Sequence, residues 1–363
     1  MGVVRSRGSG MAKRALTSNE KQVLFGLVRH PTRNDRELSE VLGIKVSTVT
    51  AIRRRLRRAE YFATRRIPMM HRLGWEILAA GHGQIARSAG SHAAARLKES
   101  LEDRFPTIFH FAYSPDHFFL LANAPSYTAF RRDLEDLRGA MHKAGLLEGG
   151  LIDTVVLPVG LTAIANFFDY SHVLALAFGI DDGTSVSLQH PKVGDIELSR
   201  KETDVLRGLV RHPELSDKAV AQKIKASRQA VSKMRREFEA AGLLRTARIP
   251  NVRALGFELY LSAFTRFMSP ATIRARTDAI EHTLSLTPHI FYATSNAESV
   301  ILGTVRSYEH FSSLRGSIVK LYDEEGFLAR EPAIQLGLVS MTEILRNCEF
   351  GPLVQMLREP SAG

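Results

Sequence analysis

The sequence predicts an α+β protein in which one two-domain unit occurs twice along the chain. Residues 16–76 align with residues 198–258 without a gap, at a constant offset of 182 (198 − 16). Both copies contain the motif Val-Leu-x-Gly-Leu-Val-Arg-His-Pro, and both later contain Arg-Ile-Pro. A solenoid repeat spans only roughly 20–50 residues, so a period this long indicates the duplication of a whole domain.

The positive charge is concentrated in two segments of the chain. The net charge is +11. Residues 16–75 contain 13 Lys/Arg and 5 Asp/Glu, and residues 198–257 contain 14 and 6, which gives +8 for each segment. Residues 1–15 add four cations, so the rest of the chain sums to −9 (11 − 20). Two dense basic segments predict a polyanionic partner, with nucleic acid the first candidate and an anionic membrane surface the second.

Composition excludes several classes of protein. The single cysteine, Cys348, rules out an internal disulfide and a cysteine-based zinc site. No apolar run reaches the roughly 18 residues that a membrane span needs. Residues 1–15 have no apolar segment typical of a secretory signal, so we expect a disordered basic arm and a cytoplasmic protein. Phosphate-loop, metalloprotease, nucleophile-elbow and dinucleotide motifs are absent, so we expect no catalytic residue, no metal and no cofactor.

Each basic segment has the pattern of three helices. In the first copy, Ser18 is the predicted N-cap of the first helix, and Asn34 and Glu37 have the spacing of a capping box for the second. Gly43 is suited to the left-handed conformation that ends a helix. A third helix is predicted to start near Ser47, with apolar residues on one face and arginines on the other. The second copy repeats this plan.

This order of helices is typical of a helix-turn-helix, whose third helix fits the major groove of DNA. The segments that follow, residues 62–68 and 244–250, are predicted to form wings along the phosphate backbone. The predicted DNA-binding residues of the two copies are Ser47, Thr48, Thr50, Arg53, Arg54, Arg57, Arg65 and Arg66, and Ser227, Arg228, Gln229, Ser232, Lys233, Arg235, Arg236, Arg245 and Arg248.

The residues after each basic segment predict a sandwich of strands and helices. Both copies show a β-rich stretch, a helix, two short strands around a turn, a second helix and a last strand. This βαββαβ order is that of the ferredoxin-like sandwich, whose sheet has one face that needs a partner. We therefore expect two winged helix-turn-helix domains and two ferredoxin-like sandwiches that pack through their sheets. The predicted boundaries are an arm at 1–15, domains at 16–75 and 76–180, a linker at 181–195, and domains at 196–257 and 258–363.

An extension is predicted to follow each sandwich, at residues 164–178 and 344–357. Both extensions are apolar enough to cover a sheet edge or to pack across an interface, and the pattern does not separate these roles. His82, which stands between two glycines, is not repeated as a histidine in the second copy. We therefore predict that it is not a functional site.

The chain resembles the Lrp/AsnC family of prokaryotic regulators over nearly its whole length. The residues that match the family pattern are Leu16, Glu20, Val23, Leu24, Asp35, Leu38, Leu42, Gly43, Val49, Arg54, Leu73 and Gly74. The resemblance implies DNA binding, dimerisation through the sheets and a site for a small effector. The family has one unit per chain, whereas this chain has two. Its Gly-x-x-Asp effector turn is replaced by residues 114–117 and 296–299, which contain no glycine, so no effector residue is assigned.

The resulting hypothesis is a regulator that binds double-stranded DNA and is not an enzyme. Two unequal recognition helices in one chain predict an asymmetric DNA site, whereas a homodimer reads a palindrome. Self-association through the sandwiches is expected, within one chain or between chains. Two alternatives remain: an Lrp-like enzyme of the siroheme-decarboxylase type, which binds a tetrapyrrole between such domains, and a protein-interaction module with degenerate helix-turn-helix units.

Overall fold

A computed structural model describes residues 15–89, 93–101, 104–181, 187–194 and 196–357. Residues 1–14 of the predicted arm, and residues 182–186 and 195 of the predicted linker, lie outside these residues. The first basic segment forms α1 (Ser18–Arg29), α2 (Asp35–Leu42), α3 (Val46–Arg58) and β1 (Phe62–Pro68). The first sandwich and its extension form β2 (Ile77–Gln84), α4 (Ala93–Leu101), β3 (Ile108–Tyr113), β4 (His117–Ala124), α5 (Tyr127–Lys143), β5 (Asp153–Pro158), β6 (Ala163–Ala165) and α6 (Ser171–Phe178).

The second half follows the same order. Its basic segment forms α7 (Arg200–Arg211), α8 (Asp217–Ile224), α9 (Arg228–Ala240) and β7 (Leu244–Pro250). Its sandwich and extension form β8 (Leu259–Arg266), α10 (Thr277–Leu286), β9 (His289–Thr294), β10 (Glu298–Val305), α11 (Tyr308–Glu324), β11 (Ala333–Leu338), β12 (Glu343–Arg346) and α12 (Gly351–Gln355). No helix in the described part of the chain is long and apolar enough to cross a membrane.

The helix ends follow from local side chains, with one shift from the expected position. Thr17, not Ser18, caps α1, and it forms a capping box with Glu20. A hydroxyl at this position can accept a hydrogen bond from the third residue of the helix, which Ser18 is one residue too late to do. The left-handed residue that ends the second helix is Gly43 in the first copy (φ 64°) and Lys225 in the second (φ 55°).

The two wings pair with each other. Strands β1 and β7 form a two-stranded antiparallel sheet in which Thr64 lies opposite Arg248 and Arg66 lies opposite Thr246. Each wing therefore has the other wing as its hydrogen-bonding partner. This sheet joins the two helix-turn-helix units into one body, and both units contribute buried side chains to a shared core.

The two halves also exchange their extensions. The first sheet has the strand order β12-β3-β4-β2-β5, and the second has β11-β8-β10-β9-β6. The extension strand of each half thus completes the sheet of the other half. This arrangement covers a sheet edge that would otherwise be free to pair with another chain. The extensions therefore have both of the roles that the sequence left open. They cover a sheet edge, and they do so across the interface between the halves.

A buried arginine fixes one of these exchanged strands. Arg346, at the end of β12, is 6% exposed. Its guanidinium donates hydrogen bonds to the carbonyl oxygens of Leu101, Phe105 and Ile108 in the first half. Leu101 ends α4, so the cation also lies at the negative end of a helix dipole. The exchanged strand of the second sheet, β6, is held without a charged side chain. Asn166, which follows β6, lies with its Nδ2 3.0 Å from Nε2 of His289.

Candidate functional site between the two halves

The uncovered faces of the two sheets lie against each other. The imidazole of His82 stacks on the ring of Phe264, with centroids 3.9 Å apart, and Phe119 contacts the same ring at 5.8 Å. Ser114 and Thr342 are linked across the halves by a hydroxyl–hydroxyl hydrogen bond of 2.8 Å. His82 was predicted to lie outside any site, because its counterpart in the second copy is not a histidine. That counterpart is Phe264, and the two rings stack face to face across the interface.

Beside these contacts the sheets enclose an inter-sheet cavity of about 50 Å³, which is partly open to solvent. Strands of both halves supply its polar groups. They are His110, Ser114, His117, Tyr170, Tyr260, Ser262, Gln335 and Thr342. None of them was predicted to be functional: Ser114 and His117 lie in a turn without the family's glycine, and the others are scattered through otherwise apolar stretches. Only the pairing of the two sheets brings them together.

Three of the polar groups of the inter-sheet cavity, His110, Tyr170 and Tyr260, are held in uncharged forms. His110 is 5% exposed, and its burial lowers the pKa of the imidazole to about 3. Its Nδ1 has no hydrogen-bond partner in the described part of the chain. Burial raises the pKa of Tyr260 to about 12 and also raises that of Tyr170. At neutral pH the cavity therefore contains a neutral imidazole and two protonated phenols.

Two clefts lined by arginines flank the sheet that β1 and β7 form. They lie on opposite sides of the approximate two-fold axis that relates the two halves. The first arginine cleft has a volume of about 360 Å³ and includes Arg65, Arg66 and Arg211. The second arginine cleft has a volume of about 420 Å³ and includes Arg29, Arg245 and Arg248. Tyr170 lines both the second cleft and the inter-sheet cavity, so these two spaces adjoin.

The four wing arginines point into these clefts and between the halves. Arg65 donates from Nε to the Asn347 carbonyl oxygen at 2.9 Å, and Arg248 donates to that of Pro31 at 2.8 Å. Arg66 and Arg248 are each only 9% exposed. Burial lowers the pKa of Arg248 to about 9. Five buried guanidinium nitrogens of the wing arginines have no partner among the described residues: Arg66 Nη1, Arg245 Nε and Nη2, and Arg248 Nε and Nη1. These groups are suited to bind carboxylates that enter the clefts.

The Arg-Arg pairs of the two recognition helices are divided between two roles. Arg53 forms an ion pair with Asp35, and Arg235 forms one with Asp217 at 3.0 Å. Since 53 + 182 = 235 and 35 + 182 = 217, the same link between the second and third helices occurs twice. These arginines fix the helix-turn-helix geometry, whereas the second member of each pair is exposed.

The remaining predicted DNA-binding residues divide by exposure. Ser227 caps α9, and the hydroxyl of Thr50 donates to Asp35 at 2.7 Å. Thr48 and Ser232 are half-buried, and Arg57 pairs with Glu214 of the other half at 3.0 Å. The exposed set consists of Ser47, Arg54, Arg57, Ser227, Arg228, Gln229, Lys233 and Arg236. The phosphate and base contacts assigned to these residues remain predictions. Among the described residues, no cluster of three or more His, Cys, Asp or Glu side chains is placed to hold a metal ion.

The architecture is therefore that of an α+β protein in which a unit of one helix-turn-helix and one sandwich occurs twice. No protein-family model matches the chain, and no curated protein matches it by sequence. Among solved structures, the siroheme decarboxylase NirDL matches with a TM-score of 0.52 and 10% identity, over 93% of this chain and 97% of that one. NirDL in complex with an iron-uroporphyrin III analogue matches with a TM-score of 0.50 and 9% identity, over 92% and 97%.

Single-unit regulators match only part of the chain. AsnC from E. coli matches over 39% of this chain and 92% of its own, with 14% identity and a TM-score of 0.31. The full-length likeness is thus to an enzyme. The expectation that the protein is not an enzyme was wrong, because a duplicated fold of this kind occurs over its whole length in a decarboxylase. Sequence patterns missed this because the helix-turn-helix signal is the same in both classes.

Proposed function

We propose that the protein is an enzyme that removes carboxyl groups from an iron tetrapyrrole bound between its two halves. The supporting observation is the full-length match to siroheme decarboxylase NirDL, which covers both units of the duplication. The inter-sheet cavity and the adjoining arginine cleft agree with such a substrate. The inter-sheet cavity contains the neutral groups of His110, Tyr170 and Tyr260, and the cleft contains unpartnered cationic nitrogens.

The clefts are the part of the site suited to substrate binding. A tetrapyrrole with several carboxylates can place some of them against Arg245 and Arg248, where bidentate pairing is available. Binding there would also compensate the buried charge of Arg248, whose lowered pKa shows that desolvation outweighs its present partners. One further carboxylate would then enter the inter-sheet cavity past Tyr170.

The inter-sheet cavity is the part suited to the reaction. In a decarboxylation the bond between carbon and the carboxylate breaks, CO2 leaves, and the electron pair on carbon takes up a proton. A buried, uncharged site destabilises the carboxylate more than the dispersed charge of the transition state. Tyr260 holds a proton at its hydroxyl at neutral pH, and His110 contributes a neutral ring, so either can deliver the proton.

The test is anaerobic incubation of the full chain with siroheme, followed by mass spectrometry and visible absorbance. We expect stoichiometric binding and loss of CO2 from the macrocycle. Tyr260→Phe or His110→Phe should bind siroheme but lower kcat roughly 10²-fold or more, which is the usual contribution of a proton donor. The exposed His142→Phe is the matched control and should leave kcat unchanged. Absence of siroheme binding would rule out this function.

A second candidate is the DNA-binding role, which the exposed residues of α3 and α9 favour. Arg54, Arg228, Lys233 and Arg236 lie on the outer faces of these helices. If the protein binds duplex DNA through about six phosphate contacts, affinity should fall roughly 10³-fold or more between about 50 and 200 mM salt. Arg236→Ala should weaken all sequences equally, whereas Arg228→Ala should relax one base position. A flat salt titration would exclude this role.

A further inference from the structure

The two sandwiches differ in how their helix-facing sides are filled. In the first, Phe111 and Phe118 stack with centroids 5.6 Å apart and an interplanar angle of 6°. Gly83, opposite Phe118 on β2, provides the room, because a Cβ there would lie 2.7 Å from the Phe118 ring. The buried side chains of this sandwich form one continuous cluster.

The strand pairings identify the corresponding residues of the second sandwich. Leu120 pairs with Phe111 in the first sheet, and Ile301 pairs with Tyr292 in the second. Gly83 pairs with Phe118, and Thr265 pairs with Ser299. The stacked ring of Phe118 is thus replaced by the small, polar side chain of Ser299. The buried apolar side chains on the helix-facing side of the second sandwich divide into three separate clusters.

The lost volume remains as a space between the sheet and α10 and α11. This helix-side cavity has a volume of about 80 Å³ and is partly open to solvent. It lies on the face of β8 opposite the inter-sheet cavity, since Ala263 and Thr265 line it while Ser262 lines the other space. Its walls are mostly apolar and include Phe267, Phe311, Leu314, Ile318 and Leu328.

Two buried hydroxyls line the same cavity. Tyr292 is 4% exposed and Thr283 is 6% exposed. Neither the Tyr292 hydroxyl nor Thr283 Oγ1 makes a hydrogen bond of acceptable geometry within the described part of the chain. The polar neighbours of the Tyr292 hydroxyl are Arg276, Thr294 and Ser299, and that of Thr283 is Tyr322. Leaving a buried hydroxyl poorly paired costs about 1–3 kcal/mol, and a mostly apolar pocket with a few converging polar groups is the usual form of a small-molecule site.

We propose that this cavity binds a small apolar molecule with one hydrogen-bonding head group, which the hydroxyls of Thr283 and Tyr292 recognise. The site is independent of the proposed enzymatic function, because it lies on the other face of the sheet. It belongs only to the second half, since Phe118 occupies the corresponding space in the first. A sequence duplication has here produced one filled core and one ligand site.

The probes are indole and indene, which have the same shape and differ in one hydrogen-bonding N–H. Binding to the full chain is measured by ligand-observed NMR and calorimetry. We expect saturable binding of indole at one site per chain, with indene at least roughly fivefold weaker because it leaves the hydroxyls unpaired. Binding of neither probe up to its solubility limit would overturn the proposal.

The double variant Thr265→Gly/Ser299→Phe places the glycine and phenylalanine pair of the first sandwich at the corresponding positions of the second. Because it copies a pair that already packs in this fold, we expect a folded protein with indole binding weakened at least tenfold. Ser312→Phe, on the exposed side of α11, is the matched control and should bind indole as the parent does. Equal indole binding by the double variant would place the probe elsewhere and refute the site.

Thr283→Val tests the head group without changing the volume of the cavity. It should reduce the preference for indole over indene to below roughly twofold, while indene binding stays constant. An unchanged preference would refute the assigned recognition. Siroheme turnover measured on the same variants separates this proposal from the enzymatic one, because neither set of substitutions touches the inter-sheet cavity.

Discussion

The two ferredoxin-like halves have the same strand order and unlike interiors. Each has four strands of its own in the same antiparallel order, and each accepts a fifth strand from the other half. The first core is continuous, whereas the second contains a cavity where Phe118 is replaced by Ser299. Backbone pairing constrains topology through many hydrogen bonds, whereas core volume depends on a few side chains. A duplicated domain can therefore keep its fold while one copy changes its interior.

The largest expected effect comes from copying the second half's residue into the first. Phe118→Ser should lower the free energy of unfolding by about 3–5 kcal/mol, because it removes a fully buried ring and places a hydroxyl in an apolar cluster. The measurement is urea denaturation followed by circular dichroism. Ser299→Ala, at the corresponding position of the second half, should cost less than about 1 kcal/mol. Equal losses would mean that the two cores are equally packed.

The next largest loss of stability is expected for substitutions of the residues that hold the exchanged strands. Arg346→Met should destabilise the protein by about 3 kcal/mol, since three carbonyl oxygens lose their donor in a buried place. Asn166→Ala, at the uncharged join of the other exchange, should cost about 1 kcal/mol. Both are measured by the same denaturant titration. If Arg346→Met lowered the free energy of unfolding less than Asn166→Ala, β6 and not β12 would be the more strongly held of the exchanged strands.

Each half also contains a buried neutral histidine, which predicts a pH dependence. Burial lowers the pKa of His110 to about 3 and that of His289 to about 4, both below the unfolded value of 6.5. Between these values the unfolded chain binds more protons, so stability falls as the pH falls from about 6.5 to 4. Each histidine contributes a slope of about 1.4 kcal/mol per pH unit in this window. The slope should decrease by that amount in His110→Phe, and an unchanged slope would show that His110 is protonated in the folded protein.

The smallest effect concerns the second helix of each helix-turn-helix. Gly43 and Lys225 occupy the same left-handed position, and only glycine does so without steric cost. Lys225→Gly should therefore stabilise the protein by a few tenths to about 1 kcal/mol, and Gly43→Lys should destabilise it by a similar amount. Thermal unfolding of the two variants checks the signs. Destabilisation by Lys225→Gly would mean that the lysine side chain contributes more than the backbone strain costs.

Local patterns in the sequence account for much of the molecule. Apolar spacing and capping residues predicted α1–α3 and α7–α9 to within about two residues at most of their ends, because these signals act over one or two turns of a helix. The order of strands and helices in each sandwich followed from the same kind of pattern. The pattern did not show where each of these helices begins: α10 begins only at Thr277, and Arg276 just before it lies buried against Phe267.

The assignment of function from sequence was less successful, and the reason is physical. The arginines of the wings carry the same charge whether they face solvent or a neighbouring domain. The sequence shows that these side chains are charged but not which way they point. Pairing of β1 with β7 turns Arg66 and Arg248 inward, and the packing of the two sheets brings His110 and Tyr260 to one cavity.

The sequence by itself determined the duplication, the α+β class, the helix-turn-helix elements and the place of the positive charge, because each depends on neighbouring residues or on simple repetition. Only the tertiary structure decided which strands cross between the halves, which arginines are buried, and where the cavities lie. Those properties depend on contacts between residues more than a hundred positions apart, such as the hydrogen bonds from Arg346 to the first half. No local pattern encodes such contacts, because a strand edge or a buried ring specifies its partner only when the whole chain is packed.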